Sequence, residues 1–86
     1  MKTVYKYTVS LIEGEATHEM RGKILSVGVQ KASPGHVCVW AEYDQDAEPV
    51  ETSLCVIGTG HPIAYDGEYI GSAVDEPFVW HVYRKV

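Results

Sequence analysis

Short alternating segments separated by glycine and proline turns predict an all-β domain. Apolar and polar side chains alternate with a period of two in most segments, and β-branched and aromatic residues concentrate there. No window of ten or more residues repeats with the helical period. Residues 3–9 open the chain as a strand, with Tyr5, Tyr7 and Val9 on one face and Val4, Lys6 and Thr8 on the other. Glu13-Gly14-Glu15 turns the chain, and residues 16–20 form a short second strand ending at Arg21-Gly22.

Residues 23–31 read as a third strand, with Leu25, Val27 and Val29 on one face and Ser26, Gly28 and Gln30 on the other. Ser33-Pro34-Gly35 is a hairpin turn, because proline presets φ and glycine tolerates the positive φ that tight turns demand. Residues 36–43 return with Val37, Val39 and Ala41 opposite Cys38 and Trp40, and residues 44–49 form a polar loop. Residues 50–57 become apolar on both faces, which predicts a central place in a sheet. Residues 68–74 and 78–84 form another pair around Asp75-Glu76-Pro77. The expected architecture is one compact antiparallel meander of six or seven short strands over residues 1–86, either a small sandwich or a partly open barrel.

Eighty-six residues bury a modest core, and a domain this small gains stability from disulfides, metals or oligomerisation. The 45% apolar content suits a folded chain, and 22% charged residues is too few for a disordered one. A net charge of −5, with seven basic residues spread along the chain, argues against a nucleic-acid partner. No stretch has the length and apolarity of a membrane span or a leader, so the expected place is the cytoplasm, with thiols reduced. Cys38 and Cys55 each sit in an apolar run, as buried structural thiols do. Several strands are apolar on both faces, notably residues 55–57 and 78–83, more than a two-layer domain covers by itself. Self-association is the economical expectation.

Candidate chemistry concentrates in residues 58–71, where four glycines, Pro62, His61, Tyr65 and Tyr69 fall between two strands. Gly58 and Gly60 permit positive φ or close approach to a ligand, and Pro62 presses His61 towards an extended backbone. Gly58, Thr59, Gly60 and His61 are therefore the candidate ligand contacts, with Tyr65 or Tyr69 stacking on a base. The segment lacks the Lys-Ser/Thr of a P-loop and the helix of a dinucleotide fold. His18, His36, His61 and His81 show no metal-ligand spacing, the serines lack an elbow context, and the acidic pairs lie in or beside loops. The sequence predicts no catalytic residue, no metal and no cofactor.

Four elements carry a resemblance: Lys2-Thr3-Val4-Tyr5-Lys6-Tyr7, Gly58-Thr59-Gly60-His61-Pro62-Ile63, Tyr69-Ile70-Gly71 and Val79-Trp80-His81-Val82. On these the chain resembles a group of small tailed-phage proteins that share a Gly-Thr-Gly-His-Pro-Ile signature. The resemblance implies a phage or prophage origin and expression in the bacterial host cytoplasm. Phage proteins of this size include oligomeric, often β-rich sponges that sequester nucleotide-derived immune signals without cleaving them. A preformed pocket, aromatic surplus and missing catalytic groups suit such a binder. A structural or protein-interaction module, as a minor virion component or a binder of a host protein, is the competing expectation.

Overall fold

The computed structural model describes residues 1–64 and 66–86. Seven strands form in the order β1 (Lys2–Ser10), β2 (Glu15–Met20), β3 (Ile24–Gly28), β4 (His36–Asp44), β5 (Val50–Gly58), β6 (Gly67–Asp75) and β7 (Phe78–Lys85). They build a three-stranded sheet, β1-β4-β3, and a four-stranded sheet, β2-β5-β7-β6, with every pair antiparallel. The all-β expectation holds in its sandwich form. Only β3–β4 and β6–β7 pair strands adjacent in sequence. The pairs β1–β4, β2–β5 and β5–β7 join strands separated along the chain. Among the described residues there is no helix long and apolar enough to cross a membrane.

Alternation decides which side chains enter the core. Val9 lies opposite Val37 and Tyr7 opposite Val39, so the inner face of the three-stranded sheet carries Val9, Val37 and Val39. Val56 lies opposite Val82 and Ala73 opposite Trp80, which turns Leu54, Val82 and Ala73 towards them from the other sheet. Leu54, Val9, Val37, Val39 and Val82 are fully buried. Burying one such side chain contributes about 1.5–3 kcal/mol relative to leaving it in water.

Strand β5 is central, as its two-sided apolarity predicts: Leu54 faces the core, and Cys55 on the opposite face is also buried. Cys38 and Cys55 are both buried thiols, and Cys55 Sγ donates to Glu15 Oε1 at 3.6 Å. One expectation is corrected. Leu25 does not join Val27 and Val29 inside, because a bulge between Ile24 and Ser26 adds a residue to β3 and reverses the alternation. Ile24 packs on the core in its place, and Leu25 is 47% exposed. Val29 lies beyond the end of β3 but still packs against the core.

Strands β5 and β6 flank β7, and each runs antiparallel to it, so they run parallel to each other. A hairpin cannot join parallel strands; the chain must cross from one end of the sheet to the other. Gly58 sits opposite Trp80 and Gly67 opposite Lys85, so the crossing covers roughly 20 Å at ~3.4 Å per residue and ~4.8 Å per strand. The eight residues 59–66 are long enough for this without a helix. The first part of the glycine-rich segment is this crossover, and residues 67–71 belong to β6.

Tyr7 points inward, and its hydroxyl is buried with no hydrogen-bond partner among the described residues. Its ring tilts against His18 at 5.3 Å, and the His18 Nε2 lies 2.9 Å from the Thr8 carbonyl. Burial first, then the nearby Tyr43 and Tyr5, raise the Tyr7 pKa above the ordinary phenol value. A group with a raised folded pKa supports stability fully below its unfolded pKa and loses it as pH rises through the folded value. Tyr7→Phe is therefore expected to gain about 1 kcal/mol near neutral pH, by removing an unpaired buried hydroxyl. It should also flatten the loss of stability above pH ~10. Urea unfolding of both forms at neutral and alkaline pH checks this, and a destabilised Tyr7→Phe protein contradicts it.

Candidate functional site

The crossover begins with a tight turn. The His61 amide donates to the Gly58 carbonyl at 3.1 Å, and Gly60 has φ +88°. That pattern is a type II turn, whose third residue needs a positive φ and so favours glycine. A Cβ on Gly60 would meet nothing within 4 Å, so its glycine serves the backbone. Gly58 answers to space instead. A Cβ there would lie 3.1 Å from His61 Nδ1 and 3.3 Å from the Trp80 ring. The close approach foreseen at Gly58 is made by these two rings.

The turn separates two grooves. One, of about 380 Å³, is lined by Gly58, Thr59 and His61 on one side and by Pro77, Phe78, Val79 and Trp80 on the other. Phe78 and Trp80 stack with ring centroids 5.4 Å apart, and Phe78 is 55% exposed. The second groove, of about 210 Å³, lies where the crossover passes over the outer face of the four-stranded sheet. Ile63 lines it together with Ile57, His81 and Tyr83. The His61 ring borders both grooves and makes no hydrogen bond among the described residues.

Gly58, Thr59, Gly60 and His61 are the four residues of this turn and all border the second groove. Tyr65 lies outside the described residues. Tyr69 sits on β6 and lines neither groove. Its ring packs edge-on against Tyr83 at 5.6 Å, and its hydroxyl is 2.6 Å from Ser72 Oγ. The aromatic wall beside the turn consists of Phe78 and Trp80 instead. Sequence reasoning passed over Phe78, which follows the segment by several residues; the β5–β7 register, with Gly58 opposite Trp80, supplies the link to this wall.

A chain of polar side chains crosses the outer face beside the second groove. His81 Nε2 is 2.9 Å from Thr59 Oγ1, and His81 Nδ1 is 2.9 Å from Ser72 Oγ. Thr59 also donates to the Val79 carbonyl at 3.4 Å. His36 Nδ1 lies 2.9 Å from the Pro34 carbonyl, far from this chain along the sequence. Among the described residues no three His, Cys, Asp or Glu side chains gather as a metal site would need.

At the other end of the sheet, Lys85 reaches across β5 to Glu15, with Nζ 2.8 Å from Oε1. The hydrogen bond and charge of Lys85 hold the Glu15 carboxyl below its usual range, and Glu15 raises Lys85 in turn. Both groups are exposed, so this pair fixes geometry more than it adds stability.

The two glycines should separate by mechanism. Gly60→Ala is expected to cost about 1–2 kcal/mol from backbone strain alone, with Gly60→Asn costing less because asparagine tolerates the left-handed region. Gly58→Ala should instead displace the His61 ring, which is exposed and can move. Denaturant midpoints combined with the imidazole proton shifts of His61 distinguish the two. Equal tolerance of alanine and asparagine at position 60 contradicts the turn assignment.

No curated protein and no solved structure matches this chain. Residues 1–86 match the family described as Domain of unknown function (DUF7352). The seven-stranded sandwich with its glycine-led crossover is therefore a member of that family.

Proposed function

We propose that the chain binds a small, planar, anionic ligand of the nucleotide type in the groove beside the Gly58–His61 turn and holds it without cleaving it. The observation that carries this reading is the stacked Phe78–Trp80 pair forming one wall of a groove whose other wall is the turn itself. A volume of about 380 Å³ falls within the range of small-ligand sites. Phe78 offers an aromatic face to a base, and base–aromatic stacking contributes about 1–3 kcal/mol per base. The N–H groups of the two central turn residues take no part in the turn's own hydrogen bond, so they suit a phosphate. The His61 ring, without a hydrogen-bond partner among the described residues, adds one polar contact. The resemblance to small tailed-phage proteins supplies a setting, in which the ligand is a nucleotide-derived signal of bacterial immunity sequestered in the host cytoplasm.

Thermal-shift screening against cyclic dinucleotides and ADP-ribose derivatives tests this directly. A ligand at a hundredfold its dissociation constant is expected to stabilise the protein by about 2.7 kcal/mol. Phe78→Ala should weaken binding by about 1–3 kcal/mol, and His61→Ala by about 0.5–1.5 kcal/mol. Heating the complex should release the ligand intact. No response across the panel, or recovery of a hydrolysed product, overturns the reading.

A second reading rests on a different observation. Val74 is 60% and Tyr69 56% exposed on the outer face of the four-stranded sheet, next to the half-buried Ile57, Val79 and Tyr83. Such a surface suits an interaction module, whose partner is a second copy or another virion or host protein. Light scattering after size exclusion at high micromolar concentration should report an oligomer, and Val74→Lys should shift it towards monomer. A strict monomer removes the self-association branch.

A further inference from the structure

The outer face of the four-stranded sheet holds a hydroxyl–imidazole chain whose chemistry neither reading above uses. Ser72 on β6 lies directly opposite His81 on β7, and their side chains meet with Oγ 2.9 Å from Nδ1. The other ring nitrogen, Nε2, is 2.9 Å from Thr59 Oγ1 at the start of the crossover. One proton arrangement satisfies every contact. Thr59 donates its hydroxyl to the Val79 carbonyl, so its oxygen accepts from His81 Nε2–H. Nδ1 is then unprotonated and accepts from the Ser72 hydroxyl, whose oxygen in turn accepts from Tyr69. In this arrangement the ring is held in one orientation from both sides, with its basic nitrogen aimed at a serine.

A nucleophile bonded to a base that a third group orients is the arrangement that activates serine hydroxyls. Ser72 is exposed on β6, the edge strand of its sheet, and is open to approach, while His81 is half-buried. An apolar recess between Ile57, Ile63 and Tyr83 ends on the His81 ring and could accept a short acyl chain. Tyr69 brings a second hydroxyl to within 2.6 Å of Ser72 Oγ, close enough to donate to an oxygen on the attacked carbon.

We propose that Ser72 is a nucleophilic serine that takes an acyl group from activated carboxylic esters, with His81 as its base and Thr59 as the residue positioning the ring. Ser72 Oγ forms a bond to the carbonyl carbon while its proton passes to His81 Nδ1. The carbon–oxygen bond to the leaving alcohol then breaks, and the departing oxygen takes that proton from the ring. The products are an acyl ester of Ser72 and the free alcohol, with no further reactant. Ser72 and His81 have no part in the groove beside Phe78, which Thr59 alone of the three borders.

The probe is a fluorophosphonate, which forms a phosphorus–oxygen bond to an activated serine with loss of fluoride. Peptide mapping by mass spectrometry is expected to place one adduct on Ser72, formed at least about tenfold faster than any on Ser53, whose hydroxyl bonds Thr17 rather than an imidazole. Burst release of p-nitrophenol from p-nitrophenyl acetate should match one equivalent of protein. Ser72→Ala should remove the adduct, and His81→Gln should slow it at least about tenfold. Thr59→Val should slow it severalfold, and Thr59→Ser should restore it, because only the hydroxyl positions the ring. Circular dichroism confirms that each variant keeps its strands; if Ser72→Ala does not, the mapped site in the parent protein and His81→Gln decide. Labelling of Ser72 no faster than Ser53, or at the parent rate in His81→Gln, overturns the proposal.

Discussion

Strand β7 pairs antiparallel with β5 on one side and β6 on the other, and that double pairing shapes everything on the outer face of its sheet. Two strands that flank a common antiparallel partner must run parallel, and parallel neighbours cannot be joined by a tight turn. The chain leaving β5 has to reverse sharply and travel back over the sheet. Gly60 makes the reversal with its positive φ, and Gly58 makes room for the His61 ring at the point of departure. The grooves on either side of the turn are consequences of this crossing. So is the meeting of Thr59 with His81, because the crossover starts at the end of β5, beside β7.

The core that supports this face is small and almost wholly aliphatic. Six buried residues from both sheets form its centre, and half-buried side chains such as Ile24, Val27, Ile70 and Trp80 complete it from the rim. With so little interior, the domain leaves apolar side chains in water, including Val4, Val50, Val74 and Phe78. The same shortage puts Tyr7 inside despite its hydroxyl, since its ring supplies apolar volume beside Val9 and Val39. The Trp80 Nε1 is likewise buried without a partner among the described residues. Aromatic residues here fill space first, and their polar atoms are accommodated afterwards.

Polar interactions cluster on the outer face of the four-stranded sheet and along its rim. Glu15 and Lys85 span β5, Glu68 and Arg84 pair between β6 and β7, and the hydroxyl–imidazole chain lies between them and the turn. Exposed ion pairs of this kind are screened by water, so they set side-chain directions more than they set stability. The Ser72–His81 contact differs in being fixed from both ends of one ring. That is the feature of the face for which packing offers no reason.

Much of the fold is legible in the sequence, and the reason is local. The pleat gives strands a period of two, so Val37, Val39 and Ala41 declare one face of β4 and Leu54 the inner face of β5 without reference to any partner. Turn chemistry is local too: Gly35 and Gly60 both adopt the positive φ that their sequence context implies. The bulge at Ile24–Ser26 escaped because the extra residue shows only against the partner strand, and it moved Leu25 from the core to the surface. Strand order is also a property of the whole chain. Alternation says which side chains share a face of one strand but not which strand lies beside it. Phe78 therefore gave no sign of sharing a groove with Gly58, and Ser72 gave no sign of facing His81, until β7 settled between β5 and β6. The strands, the turns and the buried thiols were determined by the sequence alone. The meeting of Thr59, Tyr69, Ser72 and His81 was decided only by the tertiary structure, because pairing between distant strands is selected by the packing of the whole core.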